Sequence, residues 1–228
     1  MILTAHQPMF MPWLGLFDKI ARADTFCIFD DVPFERHGFG NRNKIKTASG
    51  ELWLTVPVHL DDHLAKPAHQ VRICNDHNWR RKHLRSIELA YQKAPHFERY
   101  MGTMRTIYSE DWDYLSGLNR TLLDWFLREC GLSVQVVTAA EQGFSGSKSD
   151  LVLDMCVKLG ADEYIFGAMG RDYADVAAFN RAGIKVTFQD YQHPVYPQLY
   201  GEFLPNMSVL DLLMNCGPDS ANILKASI

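Results

Sequence analysis

The order of apolar and polar positions along the chain predicts helices and strands in alternation. In the second half, a segment with apolar residues at helical spacing runs three times into a glycine and is followed by a short apolar run. The predicted helices cover residues 114–130, 151–159 and 173–182, and the predicted strands cover residues 134–137, 163–166 and 184–188. Short apolar strands that alternate with helices are typical of a covered, mostly parallel sheet. We therefore expect these three strands to be neighbours in one sheet.

The amino-terminal part repeats this pattern, with a strand over residues 1–5, a helix over 14–23 and a strand over 24–29. An insertion, roughly residues 36–110, contains a predicted hairpin (41–47 and 52–60) and two helices (79–93 and 97–108). A last helix, 209–216, has Ser208 as its predicted cap. The fold class is thus α/β, with a mostly parallel Rossmann-like sheet, flanking helices and an inserted hairpin plus helices. We predict one domain over residues 1–228, since no linker or repeat divides the chain.

Composition narrows the functional classes. With 228 residues, 47% of them hydrophobic, the chain can bury its own core. A net charge of -4 gives no overall attraction to nucleic acid. No apolar run approaches the roughly 18 residues of a membrane helix, and the start lacks a basic, then apolar leader, so we expect cytoplasmic residence. Five well-separated cysteines without a C-x-x-C pair indicate buried thiols rather than a disulfide framework or a zinc site. No cofactor or metal is evident.

The loop after the first strand is the first candidate site. Ligands of parallel α/β sheets bind beyond the carboxyl ends of the strands. Here His6 and Gln7 lie on a loop stiffened by two prolines, and Trp13 and Gly15 open the next helix. An imidazole and an amide near a helix amino terminus suit an anionic ligand. The alternative is that both side chains only satisfy local backbone groups.

Two carboxylates follow the second strand. Asp30 and Asp31 alternate faces in an extended chain, so at most one of them points into a given cleft. A metal ligand, a ribose clamp, a partner for nearby bases and a solvated acidic turn all remain open.

The inserted hairpin has a cationic strand. Arg42, Lys44 and Lys46 alternate and therefore share one face, which suits phosphate or carboxylate groups. A charged edge strand that resists aggregation is the competing interpretation.

The late loop, residues 189–198, resembles the first in chemistry, because it combines His193 with two prolines. If His6 and His193 converge, with Asp30 or Asp31 orienting an imidazole, general acid–base catalysis becomes feasible. A packed loop is the alternative. The chain lacks the G-x-G-x-x-G, P-loop, G-x-S-x-G and H-E-x-x-H motifs.

Taken together, these motifs resemble the WbqC-like family of bacterial proteins. The likeness covers H-Q-P and the following helix (residues 6–20), D-D-V (30–34), N-R-N (41–47), W-L-T-V-P-V (53–58), the late H-P-x-Y-x-Q (193–198) and residues 207–217. Pro33 departs from the pattern, where glutamine is expected. Phe166, before Gly167, departs where serine is usual.

The resemblance implies a role in bacterial surface polysaccharide (O-antigen, lipopolysaccharide) biosynthesis. Our hypothesis is a transferase that moves a small acyl or aminoacyl group to an amino sugar carried by a nucleotide, with an acyl carrier protein as a further partner. His6 or His193 is the base, with Asp31 as the third catalytic candidate. The substrate-binding candidates are Gln7, Trp13, Gly15, Lys19, Asp30, Phe34, Asn41, Arg42, Asn43, Lys44, Lys46, Thr47, Trp53, Tyr173, Tyr196 and Gln198.

Two other functions remain open. The first β-α-β unit is similar to nucleotidyltransferases of the HIGH type, although the second histidine of that signature is missing, so adenylyl transfer from ATP is the runner-up. A non-catalytic protein that binds a sugar nucleotide or organises partner enzymes needs the same pocket but no proton transfer. The basic helix at residues 79–85 fits a solvated face, an interface or a carrier-docking face equally well.

Overall fold

A parallel sheet of five strands forms the centre of the protein. The computed structural model describes residues 1–59 and 66–225. The strands are β1 (Ile2–His6), β2 (Thr25–Ile28), β5 (Gln135–Thr138), β6 (Glu163–Phe166) and β7 (Lys185–Phe188), in the order β5-β2-β1-β6-β7. All four pairings are parallel. The predicted α/β fold class is confirmed. The expectation that the last three strands are neighbours is wrong for β5, which pairs with β2 at the edge opposite β7.

Helices cover both faces of the sheet. They are α1 (Leu14–Ala21), α2 (Trp79–Tyr91), α3 (Phe97–Ser109), α4 (Leu115–Glu129), α5 (Ala139–Gln142), α6 (Lys148–Leu159), α7 (Val176–Arg181), α8 (Val209–Cys216) and α9 (Ser220–Lys225). The Oγ of Ser208 accepts a hydrogen bond from the Leu210 amide at the start of α8, as its position before the apolar run predicts. α6 ends at Gly160, whose φ of 69° most side chains avoid.

The buried apolar residues form two clusters, one on each face of the sheet. The larger cluster joins α1, the insertion helices, α4 and α8, and the smaller joins β6 with α6 and α7. Since both faces are covered, the polar side chains that follow the strands can collect only at the ends of the sheet.

The inserted hairpin packs away from the main sheet. Its strands are β3 (Arg42–Thr47) and β4 (Gly50–Thr55), paired antiparallel. On the side of β3 that does not pair with β4, the Ser208 amide donates a hydrogen bond to the Lys44 carbonyl at 2.9 Å. The predicted second strand, residues 52–60, is too long, because β4 ends at Thr55; its last residue, 60, lies outside the described residues. Within residues 1–59 and 66–225, no helix is both long and apolar enough to cross a membrane.

Candidate active site at the carboxyl edge of the sheet

The loop between β1 and α1 is fixed on several sides. The Phe10 amide donates to the Phe39 carbonyl at 2.9 Å, the Asn43 side chain donates to the Met11 carbonyl at 2.8 Å, and the Val209 amide donates to the Pro12 carbonyl at 2.8 Å. Met11 has a φ of 44°, an uncommon value for a residue with a side chain. Such a conformation persists only where surrounding contacts hold it, so the loop is a rigid support for the residues that precede it.

Two adjoining cavities lie at the carboxyl ends of β1, β2 and β5. The smaller has a volume of about 100 Å³ and the larger about 390 Å³. Their walls share Gln7, Pro8, Met9, Ser116 and Asn119. The smaller cavity also contacts His6, Phe34, Glu35 and residues 38–40, and the larger contacts Asp30, His69, Arg120, Thr138 and Glu141, among others. A small and a large compartment thus meet at one common wall.

His6 stands in the wall of the smaller cavity as a neutral base. Its Nδ1 donates to the Gln7 carbonyl at 2.9 Å, which fixes the proton on that nitrogen and leaves Nε2 as the acceptor. No partner of Nε2 is found among the described residues. Burial, and then the nearby charge of Lys19, lower the pKa of His6 to about 4.

Lys19 lies behind His6 rather than in the cavities. Its side chain is buried, and Nζ donates to the Ala5 carbonyl at 2.8 Å, one residue before His6. Burial lowers the pKa of this ammonium to about 8. The structure therefore gives Lys19, a predicted binding residue, a position from which it influences His6 electrostatically.

The two aspartates after β2 have separate environments. Asp30 is buried in the wall of the larger cavity, where Oδ1 accepts from the Ala140 amide at 3.0 Å. Its main-chain carbonyl accepts from the amide and Nδ1 of His69. Asp31 is exposed and contributes to neither cavity. Only Asp30 of the pair lines a cavity, and both residues lie beyond the end of β2 at Ile28.

The first turns of α4 form the opposite wall. Asn119 donates through Nδ2 to the Gly40 carbonyl at 2.8 Å, whereas its buried Oδ1 has no donor among the described residues. The Oγ1 of Thr138, at the end of β5, is likewise buried without a partner in that part of the chain. Arg120 donates through Nε to both carboxylate oxygens of Asp124 at 2.9 Å. Within residues 1–59 and 66–225, Asn119 and Thr138 in the wall of the larger cavity therefore have unused hydrogen-bonding capacity.

Phe34, a predicted binding residue, lines the smaller cavity. Its ring lies so close to Gly40 that a Cβ added there would be 2.8 Å from a ring carbon. A glycine is required at this position because the aromatic ring and the backbone touch.

The amino terminus of α1, by contrast, is closed. The indole of Trp13 lies across Gly15, where an added Cβ would be 2.3 Å from the ring. Tyr191 packs edge-on against the same indole, with ring centroids 5.3 Å apart. Trp13 and Gly15 thus pack against each other and line neither cavity.

The predicted cationic strand is engaged within the protein. Arg42 donates to the His37 carbonyl and lies 4.7 Å from the Trp53 ring centre, and Lys44 pairs with Glu51 at 2.8 Å. The buried Lys46 donates to the carbonyl of Glu202 at 2.5 Å. None of the three side chains lines the cavities.

The other hairpin candidates also make contacts within the fold. The Nδ2 of Asn41 donates to the Val56 carbonyl at 2.8 Å, and its buried Oδ1 has no partner among the residues that the structure describes. Asn43 fixes the first loop, and Thr47 bonds to Gly50 across the hairpin turn. Trp53 is half-exposed beside Arg42.

The late loop does not reach the cavities. Both ring nitrogens of His193 are engaged, since Nδ1 donates to the Pro194 carbonyl at 2.8 Å and Nε2 accepts from the Asn206 amide at 3.1 Å. The ring also packs between Tyr191, Tyr196 and Phe203. The structure therefore does not bring His193 together with His6.

Two further late-motif residues belong to a buried network around Asp211. Tyr91 donates to one carboxylate oxygen at 2.8 Å, while Tyr196 and Gln198 donate to the other at 3.0 and 2.8 Å. Burial raises the pKa of Asp211 despite these three donors. Tyr173, another predicted binding residue, lies after β6 against Phe166 and outside both cavities.

Sequence reasoning therefore found His6, Gln7, Asp30 and Phe34 but missed the α4 wall and His69. Inspection of every strand end would have found Thr138. No motif marks Ser116, Asn119 or Arg120, because they follow no strand and the chain must fold before α4 reaches the sheet edge. Among the described residues, no group of His, Cys, Asp and Glu side chains is placed to hold a metal ion.

These features define an α/β protein with two adjoining cavities at the carboxyl edge of its parallel sheet. A model of the WbqC-like protein family matches residues 7–223. The chain is also 34% identical, over 221 residues, to the uncharacterized protein Rv1507c of Mycobacterium tuberculosis, covering 96% of this chain and 95% of that protein. A comparison with solved structures finds no match. The chain belongs to the WbqC-like protein family.

Proposed function

We propose that this protein is a transferase of bacterial surface polysaccharide biosynthesis. It transfers a small acyl or aminoacyl group to the amine of an amino sugar carried by a nucleotide. The proposal takes the biological setting from the family resemblance and the chemistry from the two cavities.

His6 is the observation that carries the proposal. An amine attacks a carbonyl only when its nitrogen has a free electron pair, and it must lose a proton as the new bond forms. The Nε2 of His6 is unprotonated at neutral pH and has no partner among the described residues, while Nδ1 is fixed by the Gln7 carbonyl. A fixed, neutral imidazole at a cavity wall is suited to accept that proton.

The volumes of the two compartments fit two substrates of unequal size. About 100 Å³ accommodates an acyl or aminoacyl group of a few heavy atoms, since about 10–15 Å³ of such cavity volume is enough for one water. About 390 Å³ lies within the range of ordinary ligand pockets and accommodates a sugar. Because Gln7 and Asn119 belong to both walls, an amine bound at the boundary would contact both compartments.

The proposed reaction follows from this placement. The amine nitrogen forms a bond to the carbonyl carbon of the donor, and the bond from that carbon to the leaving group breaks. The amine proton moves to Nε2 of His6 and then to the leaving group, so that the imidazole returns to its neutral form.

The experiment is an assay of the purified protein with an amino-sugar nucleotide and a panel of acyl-thioester and aminoacyl donors, with and without ATP and magnesium. Mass spectrometry would detect the mass gain of one acyl or aminoacyl group on the sugar. A gain that needs no ATP and is lost in His6→Asn is the expected result. His193→Asn is the matched control, because it alters a histidine outside both cavities.

Other outcomes separate the alternatives. Consumption of ATP with release of pyrophosphate, and an adenylyl group on the sugar, would replace our proposal with adenylyl transfer. Tight binding of the sugar nucleotide that survives His6→Asn, with no product from any donor, would identify a binding protein without catalysis.

A further inference from the structure

In the first turn of α4, two main-chain amides have no acceptor in the part of the chain that the structure describes. Helix N–H groups in the first turn have no partner within the helix. The Leu115 amide donates to the Val71 carbonyl, but no acceptor is found for the amides of Ser116 and Gly117 among the described residues. No side chain of the described residues caps this 15-residue helix, and its first turn contains no acidic residue. Both Ser116 and Gly117 line the larger cavity.

Arg120 adds a positive charge to the same wall. Its guanidinium uses Nε for Asp124, so no contact occupies its terminal amino groups among the described residues. Free amides, the positive end of a helix and an arginine fork together form a favourable environment for a phosphate.

A second observation indicates that the ligand also donates hydrogen bonds. The side chain of Asn119 is 4% exposed and lines both cavities, and its Oδ1 has no donor among residues 1–59 and 66–225. A buried acceptor without a partner is costly, and a ligand that supplies an N–H or O–H removes the cost. Asp30 and Glu141 line the same cavity, and their carboxylates disfavour a ligand that carries only negative charge.

We propose that the first turn of α4 is a phosphate subsite, formed by the Ser116 and Gly117 amides and Arg120. It holds the phosphate of an amino-sugar ligand whose amine is bound by Oδ1 of Asn119 at the boundary of the two cavities. The identity of the ligand rests on the proposed function. The subsite replaces the phosphate role predicted for Arg42, Lys44 and Lys46, whose side chains have internal partners.

The test is calorimetric binding of three probes to the full chain: glucosamine 1-phosphate, N-acetylglucosamine 1-phosphate and glucosamine. The variants are Gly117→Asp and Gly117→Asn, which differ in charge but hardly in shape. An added Cβ at Gly117 meets the Trp112 ring at an ordinary 3.5 Å, and a carboxylate in the first helical turn is stabilising, so both variants are expected to fold.

We expect Gly117→Asp to bind glucosamine 1-phosphate about tenfold or more weakly than Gly117→Asn, because its carboxylate repels the phosphate. Affinity for glucosamine should not fall. Wild type should bind the acetylated phosphate more weakly than glucosamine 1-phosphate, since acetylation removes the amine.

Equal affinity of the two variants for glucosamine 1-phosphate would overturn the subsite, as would wild-type binding of glucosamine as tight as that of its phosphate. Absence of measurable binding of glucosamine 1-phosphate to wild type would also overturn it. The proposed function can fail separately from the subsite. If Gly117→Asp weakens binding of glucosamine 1-phosphate but no acyl transfer is found, the phosphate subsite is supported and the transferase proposal is rejected.

Discussion

The first and late histidine loops have similar residues but opposite environments. The first loop ends β1 at the cavities, and one ring nitrogen of His6 remains without a partner among the described residues. The late loop packs on aromatic rings, and both nitrogens of His193 form hydrogen bonds. A histidine between prolines therefore does not identify a base, whereas an unshared ring nitrogen at a cavity wall supports that role.

The largest expected effect is a loss of transfer activity when the histidine of the first loop is replaced. In His6→Asn, the new amide nitrogen can still donate to the Gln7 carbonyl, but the acceptor at Nε2 is lost. We expect transfer activity to fall about 10²- to 10⁴-fold, the usual contribution of a general base, while the melting temperature changes little. Steady-state rates and thermal unfolding of the same preparation would measure both. Activity within a few fold of wild type would remove His6 from its proposed role.

The next effect tests how the late loop is anchored. Asp211→Leu leaves the hydroxyls of Tyr91 and Tyr196 without their acceptor, whereas the amide of Gln198 keeps the Leu204 carbonyl. Buried donors without partners cost about 1–3 kcal/mol each, so the free energy of unfolding should decrease by about 3 kcal/mol or more. Urea unfolding would measure the loss. Asp211→Asn retains one acceptor oxygen and should lose less; equal losses would contradict the network.

A smaller effect is expected for His193→Asn. The substitution preserves a donor for the Pro194 carbonyl but removes the acceptor of the Asn206 amide, as well as the ring packed against Tyr196 and Phe203. Because the Asn206 amide is exposed and water can replace the lost acceptor, stability should decrease by only about 1 kcal/mol, with no loss of activity per folded molecule. A large loss of activity at unchanged stability would place both histidines in the reaction and end the contrast between the loops.

This contrast also shows what the sequence can predict. Strands and helices followed from apolar spacing and glycine positions, and β6 and α8 were predicted at their observed bounds. His6, Gln7 and Asp30 followed from one rule, that ligands bind where parallel strands end. His193 also follows a strand in the sequence, but in the structure it does not reach the cavities, because its ring packs against Tyr196 and Phe203. Asn119 and Arg120 had no local signal, since tertiary packing alone brings α4 to the cavity.

The smallest effect concerns Lys19 and sharpens the account of His6. The base is active only when neutral, so wild-type kcat/KM should fall as the pH drops through about 4, rather than near the 6.5 of an ordinary histidine. Lys19→Met removes the charge that helps to lower this pKa but keeps the burial that lowers it most. In Lys19→Met, the pH at which kcat/KM falls on the acid side should therefore be higher than in wild type but remain below 6.5.

The stability of the folded protein should also decrease towards acid pH. His6 and the buried His83 both have a folded pKa of about 4, below the ordinary 6.5. The unfolded chain then binds more protons between these values, so the free energy of unfolding decreases as the pH falls from 6.5 towards 4. Lys19→Met should make this decrease shallower, because His6 in the folded state then accepts its proton at a higher pH. Rate profiles and urea unfolding from pH 4 to 7 would measure both shifts. If kcat/KM falls at the same acid pH in Lys19→Met as in wild type, burial alone keeps His6 neutral. Lys19 would then only stabilise the end of β1.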